Sequence, residues 1–223
     1  MAVRSRRAEA RERPFATDCR DCPRLAAYLD DCRATHPTYH ARPVPPFGAA
    51  RPRLLIVGLA PGMHGANRSG RPFTGDYAGV VLYPALHRHG FASRPESVHV
   101  EDGLRLQDCR ITNAVKCVPP GNKPTPAEIR QCNGYLRSEL AALPRRAVVL
   151  ALGRIAHEAV LRALLLKPSA HAFGHGARHA LPDGTRLFDS YHCSRYNINT
   201  RRLTPAMFDQ VMAGVRQAAD AAV

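Results

Sequence analysis

Between Gly58 and Asp76 the chain gathers five glycines, two arginines, one histidine, one phenylalanine and a closing aspartate, directly behind the apolar run at 54–57. So many glycines rule out a helix, and the apolar run reads as a buried strand. The stretch is therefore a loop at the carboxyl end of a strand, where open α/β sheets bind ligands and where glycines let a ligand approach the backbone. No Gly-Lys-Ser/Thr follows, and the G-x-G-x-x-G spacing is missing, so neither a Walker loop nor a dinucleotide fingerprint is present.

The second chemistry-bearing set is sulfur. Seven cysteines, an odd number in a chain whose first 13 residues carry charge but no apolar core, favour reduced thiols or metal ligands over disulfides. Cys19 and Cys22 form a Cys-x-x-Cys turn, while Cys117 and Cys132 flank a loop and a helix start about a hundred residues later. Four thiolates suit tetrahedral zinc or a [4Fe-4S] cluster, and spacing leaves both open. Cys32, Cys109 and Cys193 read as buried thiols, since isolated cysteines behave as small hydrophobes.

The elements that position these groups alternate. Strands are expected at 54–57, 110–113, 147–152 and 185–191, the first and third as continuous apolar runs. Helices are expected at 25–32, at 79–90 with Pro84 inside, from Pro126 to about Leu143, at 155–166, and from Pro205 onward with Phe208, Val211, Met212 and Val215 on one face. Thr125 and Glu128 match a capping box with proline at the first helical position. The five prolines at 37–52 read as an extended surface connector, and 174–179 as a polar, glycine-bearing loop. Strands alternating with helices imply a parallel sheet between helical layers. Residues 1–13 read as a mobile basic arm and 14–223 as one domain.

A formal charge of +14 and a pI near 10.2 are the footprint of a polyanion binder, with nucleic acid or an anionic membrane as the partner. No apolar run approaches the roughly 18 residues of a membrane span. A soluble, cytoplasmic monomer with no membrane partner is the expectation.

Three motifs carry a resemblance. Gly58-Leu-Ala-Pro-Gly62 with the run from His64 to Asp76, then Asn122-Lys-Pro-Thr-Pro126, then Tyr191-His-Cys-Ser-Arg-Tyr-Asn197 resemble the family 5 (type B) uracil-DNA glycosylases. The resemblance spans nearly the whole chain from Cys19. It implies a three-layer α/β/α fold with a central four-stranded parallel sheet. It also implies a [4Fe-4S] cluster on Cys19, Cys22, Cys117 and Cys132, and excision of uracil, with other deaminated bases such as hypoxanthine as further substrates, from DNA.

Carried over by motif position, Asp76, His192 and Asn122 would be catalytic. Phe73 would stack on the flipped base, with Gly58, Ala60 and Asn113 beside it, and His64, Arg195, Tyr196 and Asn197 would face DNA. Ala60 is apolar where sister families place a polar, water-activating residue, so the resemblance assigns the carboxylate role to Asp76. Cys193 departs from the His-Pro-Ser pattern common at that loop. A glycosylase must take its base out of the stack, which requires an aromatic platform and hydrogen-bonding groups. Asp76 would orient water and stabilise the oxocarbenium-like sugar, and His192 would donate to the departing base. The rival readings are a catalytically silent, cluster-bearing DNA-binding module of the same fold and a zinc-stabilised nucleotide-binding enzyme.

Overall fold

The computed structural model describes residues 15–221. The basic arm expected at 1–13 lies outside them. Six strands form one sheet in the order β1-β3-β2-β4-β6-β5. The central four, β2 (Leu54–Gly58), β3 (Cys109–Asn113), β4 (Val148–Leu152) and β6 (Arg186–Ser190), run parallel. This is the expected parallel core, and two short antiparallel strands extend it. These are β1 (Phe47–Gly48) beside β3 and β5 (Arg178–Ala180) beside β6. The sequence reading had placed both in connectors, because two or three residues among prolines and glycines are too few to show alternation.

Alternation along the strands divides the core in two. Leu54 and Ile56 of β2 face one side and pack with Leu82 and Leu86 of α3 (Tyr77–Arg88) and with Phe208, Met212 and Val215 of α7 (Pro205–Asp220). Leu55 and Val57 face the other side, against Leu136 and Leu140 of α4 (Pro126–Ala141) and Ala156 and Val160 of α5 (Arg154–Ala163). Each of the larger of these side chains, from valine upward, contributes about 1.5–3 kcal/mol when removed from water. The three expected layers follow, and α1 (Pro23–Thr35) packs Leu25 against Val115, Cys132 and Tyr135 and Leu29 against Val118. Two single-turn helices, α2 (Ala66–Ser69) and α6 (Arg195–Asn199), sit in the loops after β2 and β6.

Helix ends follow local chemistry. Thr125 accepts from the Glu128 N–H, and the Glu128 carboxylate accepts from the Thr125 N–H at 2.7 Å, completing the capping box. Helix α3 starts at Tyr77, two residues before the expected Gly79, because Asp76 caps it by accepting from the Gly79 N–H at 3.1 Å. It continues through Pro84. Among the described residues, no helix is long and apolar enough to cross a membrane.

Candidate active site

Chain order reverses direction around β2: β3 lies on one side of it and β4 on the other. The crevice beyond the strand ends at such a switch point is where doubly wound sheets bind ligands. A cavity of about 430 Å³ opens there. Leu59, Ala60 and Gly62 from the loop after β2, Asn113 from the end of β3 and His192 and Ser194 from the loop after β6 line it. Phe73, Asp76, Asn122 and Arg195 complete most of the wall.

Phe73 is buried and holds a left-handed backbone, φ 55°. A non-glycine residue there costs of order 1–3 kcal/mol and persists only where its surroundings enforce it. Two contacts do so. The buried Tyr83 hydroxyl donates to the Pro72 carbonyl at 2.8 Å. Two residues before Phe73, the buried Arg71 guanidinium pairs with Asp102 at 2.9 Å, donates to Ser97 Oγ at 3.0 Å and stacks over Phe47 at 4.5 Å. Burial pushes the Asp102 pKa upward, but N–H donors, that of Leu104 foremost, and Arg71 prevail and bring it down to about 2. The 92–107 segment is thereby fastened to the loop that carries the ring.

Gly58 is required by close approach. A Cβ there would stand 2.7 Å from Phe73 Cζ and would also strike Asn113 Oδ1. At Gly65 a Cβ would stand 2.6 Å from the Asp76 carboxylate. These two glycines let the aromatic ring, the amide and the carboxylate converge.

The Asp76 pKa is raised, because burial penalises its charged form more than the N–H groups of Gly79 and Ala78 relieve it. Burial alone brings His192 down to about 4, so its imidazole is neutral at pH 7. Its ring stacks against Phe73, centroids 5.9 Å apart and 29° between planes. The Asn197 side chain donates to the His192 carbonyl at 2.8 Å, fixing the loop from behind. A carboxylate, a neutral imidazole, an aromatic face and two amides around one cavity can hold a planar heterocycle and act on the bond that joins it to a sugar.

Of the DNA-facing candidates, His64, Tyr196 and Asn197 lie outside the cavity wall and Arg195 is part of it. His64 is exposed and bonded to the Tyr39 hydroxyl at 2.9 Å, and Tyr196 is 71% exposed. Arg195 lines the cavity and stacks over Tyr77 at 5.1 Å. Sequence reasoning missed Tyr77 and Ser194 as lining residues, along with the Arg71 clasp, whose partners Phe47, Ser97 and Asp102 lie 24 and more residues away.

Cys19, Cys22, Cys117 and Cys132 share a second pocket, walled by Leu25, Val115 and Tyr135. Cys22 precedes α1, Cys117 follows β3, and Cys132 lies on α4. All seven cysteines are free, and the Lys116 N–H donates to Cys132 Sγ at 3.3 Å. Zinc held by four thiolates at ~2.3 Å would set its sulfurs roughly 3.8 Å apart. Among the described residues, the one potential ligand group drawn within 4.8 Å is a different set, His157, His179 and Asp189. Four thiols lining one pocket, one of them already accepting a backbone hydrogen bond, are a donor set that suits tetrahedral zinc or a polynuclear cluster held by four thiolates.

A family model described as the Uracil DNA glycosylase superfamily matches residues 45–216. The chain is 50% identical to the type-5 uracil-DNA glycosylase of Thermus thermophilus, over 91% of this chain and 94% of that one. The chain belongs to the type-5 branch of the uracil-DNA glycosylase superfamily. The type-5 relative from Mycobacterium bovis is 46% identical over 90% of this chain and 78% of its own. That from Pyrobaculum aerophilum is 43% identical over 92% and 89%. In this family setting the cavity at the ends of β2, β3 and β6 is the candidate active site, and it contains all three residues that the motifs singled out as catalytic.

Proposed function

We propose that this chain is a DNA repair glycosylase that flips uracil out of DNA and hydrolyses its N-glycosidic bond, leaving an abasic site. The observation that carries this reading is the convergence of Phe73, Asp76, Asn113, Asn122 and His192 on one cavity. Phe73 presents the face on which the extruded base stacks. Asn113, buried at the strand end, reads the base edge with its amide.

Cleavage leaves positive charge on the sugar and negative charge on the departing base. Asp76 is the anion for the first, accepting a hydrogen bond from water and aligning it with the sugar carbon. His192, as a neutral imidazole, donates to the base oxygen where the second develops. A neutral donor loses no proton to bulk solvent and does not have to bury a charge before substrate arrives. Asn122 stands at the mouth of the cavity on an exposed, left-handed turn, φ 58°, within reach of the same base or its sugar.

The cavity wall also includes the small side chains of Ala60, Ala66 and Ala78. A cavity of about 430 Å³ walled by such small side chains leaves room for a purine, so hypoxanthine is included among the proposed substrates. The net charge of +14 supports binding along the phosphate backbone.

Cys19, Cys22, Cys117 and Cys132 would hold a [4Fe-4S] cluster. When bound, it would cross-link the start of α1 to the loop after β3 and to α4. The chain already joins α1 to α4 through Arg24, which pairs with Glu128 at 2.7 and 2.8 Å, so the cysteine corner is assembled by contacts of its own.

The test is a panel of end-labelled oligonucleotides carrying uracil, hypoxanthine or no lesion. Strand scission after alkali is expected with the first two and not with the third. Binding without scission on any substrate would point instead to a silent DNA-binding module.

A further inference from the structure

On the sheet face opposite Phe73, three Lewis bases converge where no part of the proposed reaction takes place. His157 of α5 brings Nδ1 to 2.8 Å from Asp189 Oδ1, and His179 of β5 brings Nε2 to 3.3 Å from Asp189 Oδ2. The three ligand atoms lie within 4.8 Å of one another. His157 and Asp189 are fully buried and His179 is largely so.

The tautomer of His157 is set by its other nitrogen. Nε2 lies 2.9 Å from the His171 carbonyl, an acceptor only, so Nε2 carries a proton. The Nδ1 lone pair then points at a carboxylate, an arrangement that requires a cation between the two, either a proton or a metal ion. A histidine that ligates through one nitrogen and donates from the other to a backbone carbonyl is the usual outer-shell pattern of a metal site. The two contacts go to different oxygens of the carboxylate, 2.8 Å to Oδ1 and 3.3 Å to Oδ2, and one ligand atom from each residue lies within 4.8 Å of the others, so small side-chain shifts bring the set to the roughly 3.3 Å between N or O ligands of tetrahedral zinc with ~2.0 Å bonds.

We propose that His157 Nδ1, His179 Nε2 and the Asp189 carboxylate bind one divalent transition-metal ion of the zinc class. Two imidazoles and one carboxylate satisfy such an ion at three positions. The fourth is open to water or to the His171 ring, which stands edge-on to His179 with centroids 5.5 Å apart. Phe173, edge-on to His157 at 5.6 Å, shields the group on another side. The ion joins α5, β5 and β6 three residues before His192, so its role is to fix the strand end from which the His192 loop departs.

Cobalt(II) tests the site because its visible bands report coordination. The full-length protein, purified without added metal and titrated with cobalt(II), is expected to develop tetrahedral d–d bands with no accompanying thiolate charge-transfer band. Zinc(II) should displace them, and metal analysis should show one zinc per chain in excess of that bound by His179→Gln. His179 is the least buried of the three, and circular dichroism checks that the variant folds. Zinc should also raise the melting temperature of the parent protein and not that of the variant, since only a native-state ligand stabilises. Equal zinc content in the two proteins, or cobalt bands that are absent or unchanged by His179→Gln, would overturn the site and leave a protonated His157 paired with Asp189.

Discussion

The base cavity and the four-cysteine corner both shift the ionisation of their side chains by burial, and in both the neutral form gains. In the cavity the neutral form is useful as it stands. His192, brought down to about 4, is an uncharged donor, and Asp76, although raised, accepts the N–H at the start of α3. In the corner, burial first and neighbouring sulfur and carboxylate charges second push Cys22 up to about 11 and raise Cys117. Cys132 rises as well, chiefly by burial, with the Lys116 charge and N–H pulling the other way. The fold supplies the cavity with its own counter-groups, whereas the corner presents several thiols with one donated N–H among them. The difference teaches that the cavity is preformed by packing, whereas the corner would be completed by the cluster we propose for it.

The comparison breaks most sharply at Asp76. Asp76→Asn should cut single-turnover uracil excision by roughly 10²–10⁴-fold, the range lost with a positioned acid–base group. Stability should be kept, because asparagine caps a helix about as well as aspartate. The sign is set by linkage: a carboxyl whose folded pKa is raised favours the fold below its unfolded pKa, and that contribution is lost as pH rises through the folded value. At neutral pH the ionised Asp76 thus costs stability, and thermal melts should show Asp76→Asn equal to or above the parent.

At the corner the pattern should reverse. Cys132→Ser should lose iron, measured as metal per chain and visible absorbance, and should melt lower by roughly 2–4 °C for each kcal/mol of lost cross-linking. The excision rate of the fraction that remains folded should stay close to the parent's. A variant that keeps its iron would undo the assignment of the four thiols.

Smaller effects sharpen the idea of a preformed cavity. Tyr83→Phe strands the Pro72 carbonyl beside Phe73 and should cost about 1–3 kcal/mol in denaturant melts. The excision rate should fall with it, since the left-handed Phe73 loses one of its two restraints. A loss of stability with an unchanged rate would separate the Tyr83 hydrogen bond from the stacking platform.

Much of this was readable in the chain. Continuous apolar runs located β2 and β4, the strand–loop–helix alternation located β3 and β6, and Thr125 with Glu128 located the start of α4. The roles of Phe73 and Asp76 were legible only through the motif resemblance, since by residue type alone Phe73 reads as a core anchor and Asp76 as a helix cap, and the structure shows each of them in that plainer role as well. What stayed hidden was non-local. His157 meets Asp189 32 residues away and Arg71 meets Asp102 31 residues away, with no periodicity or cap to announce either. The edge strands β1 and β5 owe their existence to neighbours β3 and β6 rather than to their own residues.

The account turns on an ionised Asp76 acting beside a neutral His192, and the pH dependence of single-turnover uracil excision tests that pairing directly. The rate should hold level around neutrality and fall on acidification along one limb. That limb should lie above the ordinary aspartate value of 3.8 and be missing from the residual activity of Asp76→Asn. A rate that instead climbs as pH drops through the ordinary histidine value of 6.5 would show that a charged imidazolium drives departure of the base, and would contradict the account.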